Sequence, residues 1–127
     1  MSHDPLAAML NDLTNCKKAG KSETIAIPVS KLMIEVLKIL KKHGYINDFK
    51  IEEGKFKKAI IKIGKIHKCH AIKPRFYVNM KNIDRYVKRY LPARDIGIVI
   101  ISTNKGLKTH EEAIREGVGG CLIAYCY

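Results

Sequence analysis

A short polar stretch in the C-terminal third of the sequence offers several hydrogen-bonding groups within a few residues. Its members are, in order, Ser102, Thr103, Asn104, Lys105 and Gly106. Two hydroxyls, an amide and an ammonium can hydrogen-bond to base edges, 2′-hydroxyls and phosphates without a deep pocket. A predicted strand before the stretch and a predicted helix after it would also bring a helix start near it, and the free N–H groups there favour anions. The same residue types are common in ordinary strand-to-helix turns, so both interpretations stay open on this stretch alone.

The sequence offers few residues for a metal site or a catalytic site. The candidate residues are His67, Cys69, His70, Cys121 and Cys126. The last two would have to supply the second ligand pair for a metal, and their spacing is not that of structural zinc sites. Cations around Cys69 would favour its thiolate, but no base or orienting group for a nucleophile can be identified. We therefore expect no metal, no cofactor and no catalysis, although a cysteine- or metal-dependent enzyme is the alternative from another class.

The balance of charges indicates a polyanionic partner. Lys and Arg number 24 against 12 Asp and Glu, which gives a net charge of +12. So large a charge repels itself in a compact chain, whereas a nucleic acid neutralises it and releases counterions. A basic surface that only keeps the protein soluble is the simpler alternative.

The stretch between Lys65 and Arg94 holds most of the excess charge. Nine basic residues against one acidic residue, Asp84, give it +8 of the total +12. Its aromatic residues are Phe76, Tyr77, Tyr86 and Tyr90. Such rings could stack on unpaired bases while the cations lie near phosphates. We expect at least half of these rings to anchor the core instead.

Neither a membrane partner nor an oxidising compartment is indicated. No stretch approaches the roughly 18 apolar residues of a membrane-spanning helix. The first five residues, MSHDP, lack the charged-then-apolar layout of a signal peptide. We therefore expect a cytoplasmic protein whose four cysteines are reduced.

The hydrophobic patterns predict an α/β protein of the α+β type, with two small lobes at residues 1–64 and 65–127. The first lobe is predicted to contain a helix over 4–18 capped by Asp4, a strand over 24–29, and a second helix that is capped by Ser30, runs to about 43 and buries Leu32, Met33, Val36, Leu37 and Leu40. Strands over 45–52 and 55–63 follow, joined at Glu53-Gly54. The second is predicted to be mostly β with one short helix. Its elements are a buried strand over 96–102, a helix that begins at Thr109 with a capping box to Glu112 and ends at Gly117, and a strand over 121–127.

Several motifs of this sequence occur together in one known family. The run Ser102–Ala113 (STNKGLKTHEEA), then VGG at 118–120 and a short strand ending in Tyr127, closely resembles the ending of the small-subunit ribosomal protein eight family. The opening, with Asp4-Pro5 before a helix, then strand, helix and hairpin, is similar as well. The segments KPRF at 73–76 and YLPARD at 90–95 resemble the archaeal and eukaryotic branch of that family.

The resemblance implies a structural constituent of the small ribosomal subunit that binds rRNA directly. The implied target is an irregular helix in the central domain of small-subunit rRNA, which the protein helps to assemble. Neighbouring small-subunit ribosomal proteins are the other implied partners. We expect no DNA partner, and a monomer when the protein is off the ribosome. Some relatives also repress translation by binding their own mRNA, and the sequence leaves that alternative open.

The resemblance also implies which residues contact RNA. They are Ser102, Thr103, Asn104, Lys105 and Gly106 in the polar stretch, Gly119 and Gly120 beside it, and Ser30 and Lys31 in the first lobe. In the basic stretch, the charge and the aromatic residues rather than the resemblance lead us to expect contacts from Lys73, Arg75 and Tyr77. Many members have Ser where this chain has Asn104, and Asn can still donate and accept hydrogen bonds. Bacterial members often have Glu at the position of Cys121, so an interaction made by that carboxylate does not carry over.

Overall fold

The computed structural model describes residues 5–73, 75–93 and 95–127. Helices and strands each account for about 34% of the chain and both sheets are antiparallel, so the predicted α+β class is confirmed. The chain divides into two compact units, residues 1–69 and 70–127. The boundary predicted between residues 64 and 65 falls slightly earlier along the chain. Among the described helices, none has the length and apolar character needed to cross a bilayer.

The first unit has the predicted order of helix, strand, helix, strand and strand. Its elements are α1 (Pro5–Lys18), β1 (Glu23–Ala26), α2 (Lys31–Lys42), β2 (Ile46–Glu52) and β3 (Lys58–Ile63). Strand β3 lies between β1 and β2 and pairs antiparallel with both. Asp4, the predicted cap of α1, lies outside the described residues.

Helix α2 illustrates how the local sequence builds this unit. The Ser30 hydroxyl accepts a hydrogen bond from the Met33 N–H at 3.2 Å, so the predicted N-cap is confirmed. The buried face consists of Met33, Val36, Leu37 and Leu40. Leu32, which was predicted to share that face, is only half-buried. Each buried aliphatic side chain contributes about 1.5–3 kcal/mol, so tertiary packing stabilises this 12-residue helix more than helix propensity does.

Strands β2 and β3 form the predicted hairpin, but the connection is longer than the predicted turn at Glu53-Gly54. The pairing begins at Glu52 and Lys58, which leaves residues 53–57 as the loop. The predicted start of the second strand at Lys55 was therefore wrong. The loop residues are exposed, and alternation of side chains between a buried and an exposed face starts only at β3.

The second unit is built around a sheet in the strand order β4-β8-β6-β7, with β5 also pairing with β8. Its elements in chain order are β4 (Cys69–Ala71), β5 (Tyr77–Val78), α3 (Ile83–Tyr90), β6 (Ile98–Thr103), β7 (Gly106–Thr109), α4 (His110–Glu116) and β8 (Gly120–Cys126). Val99, Ile100 and Ile101 in β6 are fully buried, which agrees with the predicted buried strand. The predicted capping box of Thr109 and Glu112 and the helix end at Gly117 are confirmed in α4.

The prediction of one short helix in the second lobe was wrong, because α3 is a further helix of eight residues. Only Ile83 and Val87 are buried in it, and charged residues occupy most of its other positions. Two apolar residues are too few to show a helical period above the surrounding charge. Strands β4, β5 and β7 were also missed. The first two have three and two residues, too few to show a period, and the polar residues of β7 resemble those of an ordinary turn.

Candidate nucleic-acid interface

The polar stretch forms the tip of the hairpin made by β6 and β7. Thr103 pairs with Gly106, so Asn104 and Lys105 make the turn, and both are exposed. The Thr103 hydroxyl donates to the Gly106 carbonyl at 2.7 Å and accepts from the Lys105 N–H at 3.1 Å. Gly106 has φ +104°, a conformation that L side chains rarely adopt. Thr103 and Gly106 therefore hold the turn, which presents the side chains of Asn104 and Lys105 to solvent.

The expectation that a helix start lies directly beyond this stretch was wrong. Strand β7 (Gly106–Thr109) separates the turn from α4, and pairing with β6 positions it. Thr109 also caps α4 itself, because its hydroxyl accepts from the Glu112 N–H at 3.3 Å. The start of α4 is therefore separated from the turn by a strand, and its Glu112 N–H is already engaged, so the polar chemistry of the turn comes from the hairpin itself.

Gly119 and Gly120 allow β8 to approach its neighbours closely. A Cβ on Gly120 would overlap the Ser102 carbonyl oxygen and would lie 2.8 Å from Cγ2 of Ile101. A Cβ on Gly119 would overlap the Val78 carbonyl oxygen. Neither glycine is among those with positive φ, so space rather than backbone conformation requires glycine at both positions.

Strands β5, β8 and β6 bring residues from distant parts of the sequence into one row. Tyr77 pairs with Cys121, and Cys121 pairs with Ser102. Because paired residues in adjacent strands point to the same face and strands lie about 4.8 Å apart, Tyr77 and Ser102 flank Cys121 on one surface. Tyr77 is 70% exposed, which is unusual for an aromatic residue within a sheet.

This row borders a shallow depression of about 250 Å³. Its lining residues are Tyr77, Ser102, Asn104, Val118, Gly119 and Gly120. Five of these six were singled out from the sequence. Val118 was missed, because an apolar residue between two glycines gives no signal beyond a turn. The depression combines an exposed ring, a hydroxyl and an amide beside close-packed backbone, which suits an unpaired base and its ribose.

Two lysines lie on the hairpin of β6 and β7. Lys108 is paired with a carboxylate, and Lys105 is exposed. Lys108 Nζ lies 2.8 Å from the Glu116 carboxylate. Hydrogen bonding to Glu116 raises the pKa of Lys108, and the same contact lowers the pKa of Glu116. Lys105 is exposed at the turn and is the better placed of the two to meet a phosphate.

The remaining residues predicted from the basic stretch lie outside the lining of the depression. Lys73 and Arg75 are exposed in the segment before β5. Phe76 packs on Tyr86 with ring centroids 4.7 Å apart, and Tyr90 stacks on Tyr125 at 5.2 Å. The expectation that at least half of the aromatic rings in this stretch anchor the core is therefore confirmed.

Ser30 and Lys31 belong to the first unit, at the start of α2. The Ser30 hydroxyl is engaged as the N-cap, and it remains exposed to solvent. Lys31 is also exposed. Both are accessible to a ligand of the first unit.

Cys69 is fully buried, and its backbone N–H and C=O are both hydrogen-bonded to the Thr14 hydroxyl. A thiol without solvent contact cannot meet a substrate, which argues against the alternative in which Cys69 is a nucleophile. Among the residues that the structure describes, no group of three or more His, Cys, Asp or Glu side chains could hold a metal ion.

The sequence was also compared with models of known protein families. The model for ribosomal protein S8 matches residues 4–127, which is nearly the whole chain.

Proposed function

Because this chain belongs to the ribosomal protein S8 family, whose members are structural ribosomal proteins that bind rRNA, we propose that it binds the central domain of small-subunit rRNA at an irregular helix and helps that domain to fold. We further propose that the protein is a monomer before assembly, and that it contacts neighbouring small-subunit proteins within the cytoplasmic ribosome. Proteins of such a family are typically not enzymes.

The shape and chemistry of the depression favour an irregular helix as the target. The depression bounded by Tyr77, Ser102 and Asn104 is open and shallow, and it offers an exposed ring beside two hydrogen-bonding side chains. In regular A-form RNA the bases are stacked and their major-groove edges are inaccessible, whereas irregular elements present unstacked bases. A ring and polar side chains on one surface fit such a base better than they fit a continuous duplex.

The side chains of the depression take different roles in this proposal. The Tyr77 ring stacks on an unpaired base, and the Ser102 hydroxyl and Asn104 amide hydrogen-bond to base edges or 2′-hydroxyls through the minor groove. Lys105 binds a phosphate. Thr103 and Gly106 hold the turn that carries Asn104 and Lys105. The glycine pair allows the RNA and the neighbouring strands to come close to the backbone of β8.

The other predicted residues contribute contacts to the RNA backbone. Lys73 and Arg75 are exposed cations in the segment before Tyr77, so they extend the positive surface along the chain. Ser30 and Lys31 supply contacts from the first unit. Such contacts fix orientation and raise affinity, but they carry little sequence information.

The test is a binding titration against two RNAs of equal length, an irregular central-domain helix and a regular duplex, at physiological salt. We expect a preference of about 10³-fold or more for the irregular helix, as for specific nucleic-acid binding.

The double substitution Ser102→Ala and Asn104→Ala should remove most of that preference and leave duplex binding nearly unchanged. Lys105→Ala should weaken both complexes. Equal affinity of the wild-type protein for both RNAs would refute the proposal.

A further inference from the structure

We propose that helix α3 forms a second contact surface for RNA, which binds the phosphate backbone of the duplex that flanks the irregular element. The surface consists of the exposed basic side chains Lys81, Arg85, Lys88 and Arg89, and is called here the α3 basic row. This inference rests on the proposed function, because it assumes that RNA occupies the neighbouring depression.

The α3 basic row begins at the edge of the depression. Strand β5 lines the depression with Tyr77, and Val78 pairs with Gly120. The next residue, Asn79, lies close to Gly119: a Cβ added to Gly119 would be 3.0 Å from the Asn79 Cα. Lys81 follows within the same turn, which leads directly into α3. An RNA strand that leaves the depression on this side would therefore meet the row.

Hydrogen bonds fix the turn between the depression and the row. The Asn79 side-chain oxygen accepts from the Lys81 N–H at 3.0 Å and from the Asn82 N–H at 3.2 Å. The Asn82 side-chain oxygen accepts in return from the Asn79 N–H at 2.8 Å. The start of α3 is thus held relative to the depression, so less freedom would be lost when the row binds a phosphate chain.

The positions on α3 place the cations on its outer side. Ile83 and Val87 are each 1% exposed and face the core. Arg85 is followed at i+3 and i+4 by Lys88 and Arg89, which is the spacing of neighbours on one helix face. Along the helix axis, the span from Arg85 to Arg89 is about 6 Å, at 1.5 Å per residue.

Helix stability accounts for Lys88, which follows the acidic Asp84 by four residues, but not for Arg85. Cations in the last turn, such as Lys88 and Arg89, are favoured by the helix dipole, but Arg85 lies in the first turn where the dipole disfavours it. The like-charged pair of Arg85 and Arg89 at i, i+4 destabilises an isolated helix by about 0.2–0.5 kcal/mol. A polyanion bound to the row would reverse both effects.

Arg89 is oriented by the aromatic residues beneath it. Its guanidinium carbon lies 5.0 Å from the centroid of the Tyr86 ring, which packs in turn on Phe76. Phe76 directly precedes Tyr77. The stack leaves the edge of the guanidinium available for the bidentate hydrogen bonds that phosphates accept from arginine. All four side chains of the row are cations, whereas the buried core of a protein–protein interface is depleted of charged residues, and this favours RNA over an acidic protein segment.

The experiment compares two triple substitutions that remove the same charge. One is Arg85→Gln with Lys88→Gln and Arg89→Gln in the row. The control is Lys38→Gln with Lys41→Gln and Lys57→Gln, three exposed lysines of the first unit that each pair with a carboxylate. Thermal melting monitored by circular dichroism checks that both proteins fold. A further variant, Arg89→Lys, keeps the charge and should bind RNA nearly as the wild type does.

Binding is measured against the irregular helix with both flanking duplexes, and against two shortened RNAs that each lack one flank, over a range of salt concentrations. With the full RNA, the row variant should lower the slope of log K against log salt by about 0.9 for each phosphate that the protein no longer neutralises. The control variant should change that slope much less. Removal of one particular flank should weaken the wild-type protein but hardly affect the row variant, which is the non-additivity expected of groups that touch each other.

Failure of the proposed function and failure of the inference about α3 would give different binding results. Wild-type protein that shows no preference for the irregular helix refutes the proposed function. Wild-type protein that shows the preference, together with a row variant that behaves like the control on all three RNAs, overturns the inference about α3 alone. That second result would leave an acidic protein segment as the alternative ligand of the row.

Discussion

Substitution of Gly120 by alanine should distort the candidate site and lower the stability of the second unit. The added Cβ would overlap the Ser102 carbonyl oxygen, which belongs to the neighbouring strand, and would lie 2.8 Å from Cγ2 of Ile101. Backbone atoms in a paired strand cannot rotate aside as the end of a flexible side chain can. Overpacking of this kind costs about 1–3 kcal/mol. For a chain of this length, that corresponds to a fall of roughly 4–12 °C in Tm.

The same substitution should reduce RNA binding more than the fall in stability explains. Relief of the overlap requires β6 and β8 to move apart, and Ser102 lies on β6 while the paired Tyr77 is held by β8. The hydroxyl and the ring would no longer have the spacing that suits one unpaired base and its ribose. We expect at least a fivefold decrease in affinity for the irregular helix at 25 °C, where the variant is still folded, since a single hydrogen bond or base stack is worth about 1 kcal/mol or more.

The assay pairs thermal melting with an RNA titration, and Gly54→Ala is the matched control. Gly54 lies in the exposed loop between β2 and β3, its φ is not positive, and a Cβ there would meet only the Phe56 carbonyl oxygen at 3.7 Å, an ordinary contact. This control should change neither Tm nor affinity by a measurable amount. A Gly120→Ala protein with wild-type Tm and wild-type affinity would show that close strand approach does not build the site.

Three more measurements test side chains of the second unit. Tyr77→Ala should weaken binding to the irregular helix roughly 5- to 150-fold, since stacking on a base is worth about 1–3 kcal/mol, whereas Tyr77→Phe should bind almost as the wild type does; equal decreases in both would argue against stacking. The Lys108–Glu116 ion pair should stabilise the fold between about pH 5 and pH 10: Glu116 has a lowered pKa, so its contribution disappears as pH falls below 4.5, and Lys108 has a raised pKa, so its contribution disappears as pH rises above 10.5. Melting curves should therefore show a difference between wild type and Glu116→Gln at pH 7 that shrinks at both extremes, and a difference independent of pH would exclude the pair as its source. Cys121, half-buried in the Tyr77 row, should react with a thiol reagent before the fully buried Cys69, and bound RNA should slow its reaction; unchanged reactivity in the complex would mean that RNA does not cover the row.

Sequence patterns predicted the parts of this fold in which local and long-range forces agree. The Ser30 and Thr109 caps, the apolar face of α2 and the buried strand β6 each follow from a strong local signal. Helix α3 was missed because only two of its residues are buried against the core. Strand β7 was missed because only pairing with β6 defines it, and polar side chains in a hairpin resemble those of an ordinary turn.

The candidate site was predictable as a set of residues but not as an arrangement. The chemistry of Ser102 and Asn104 is visible in the sequence, and so is the glycine pair. That Tyr77 flanks the same depression depends on the pairing of β5 with β8, and a two-residue strand leaves no periodic signal. Its exposure could not be inferred either, because most rings of the same basic stretch pack against the core.

The position of β8 in the second sheet has a consequence for the order in which the protein acquires its activity. The hairpin of β6 and β7 joins residues adjacent in sequence, and hairpins of this kind form within microseconds. The depression also requires β5 and β8, whose paired residues Tyr77 and Cys121 are separated by most of the second unit. Contacts between distant residues form more slowly, because loop closure must precede them. During synthesis the chain would therefore emerge with its cations and its hairpin in place before the proposed base-binding surface exists. Early contacts with RNA would depend on charge alone, and discrimination would begin only when the last of these strands has joined the sheet.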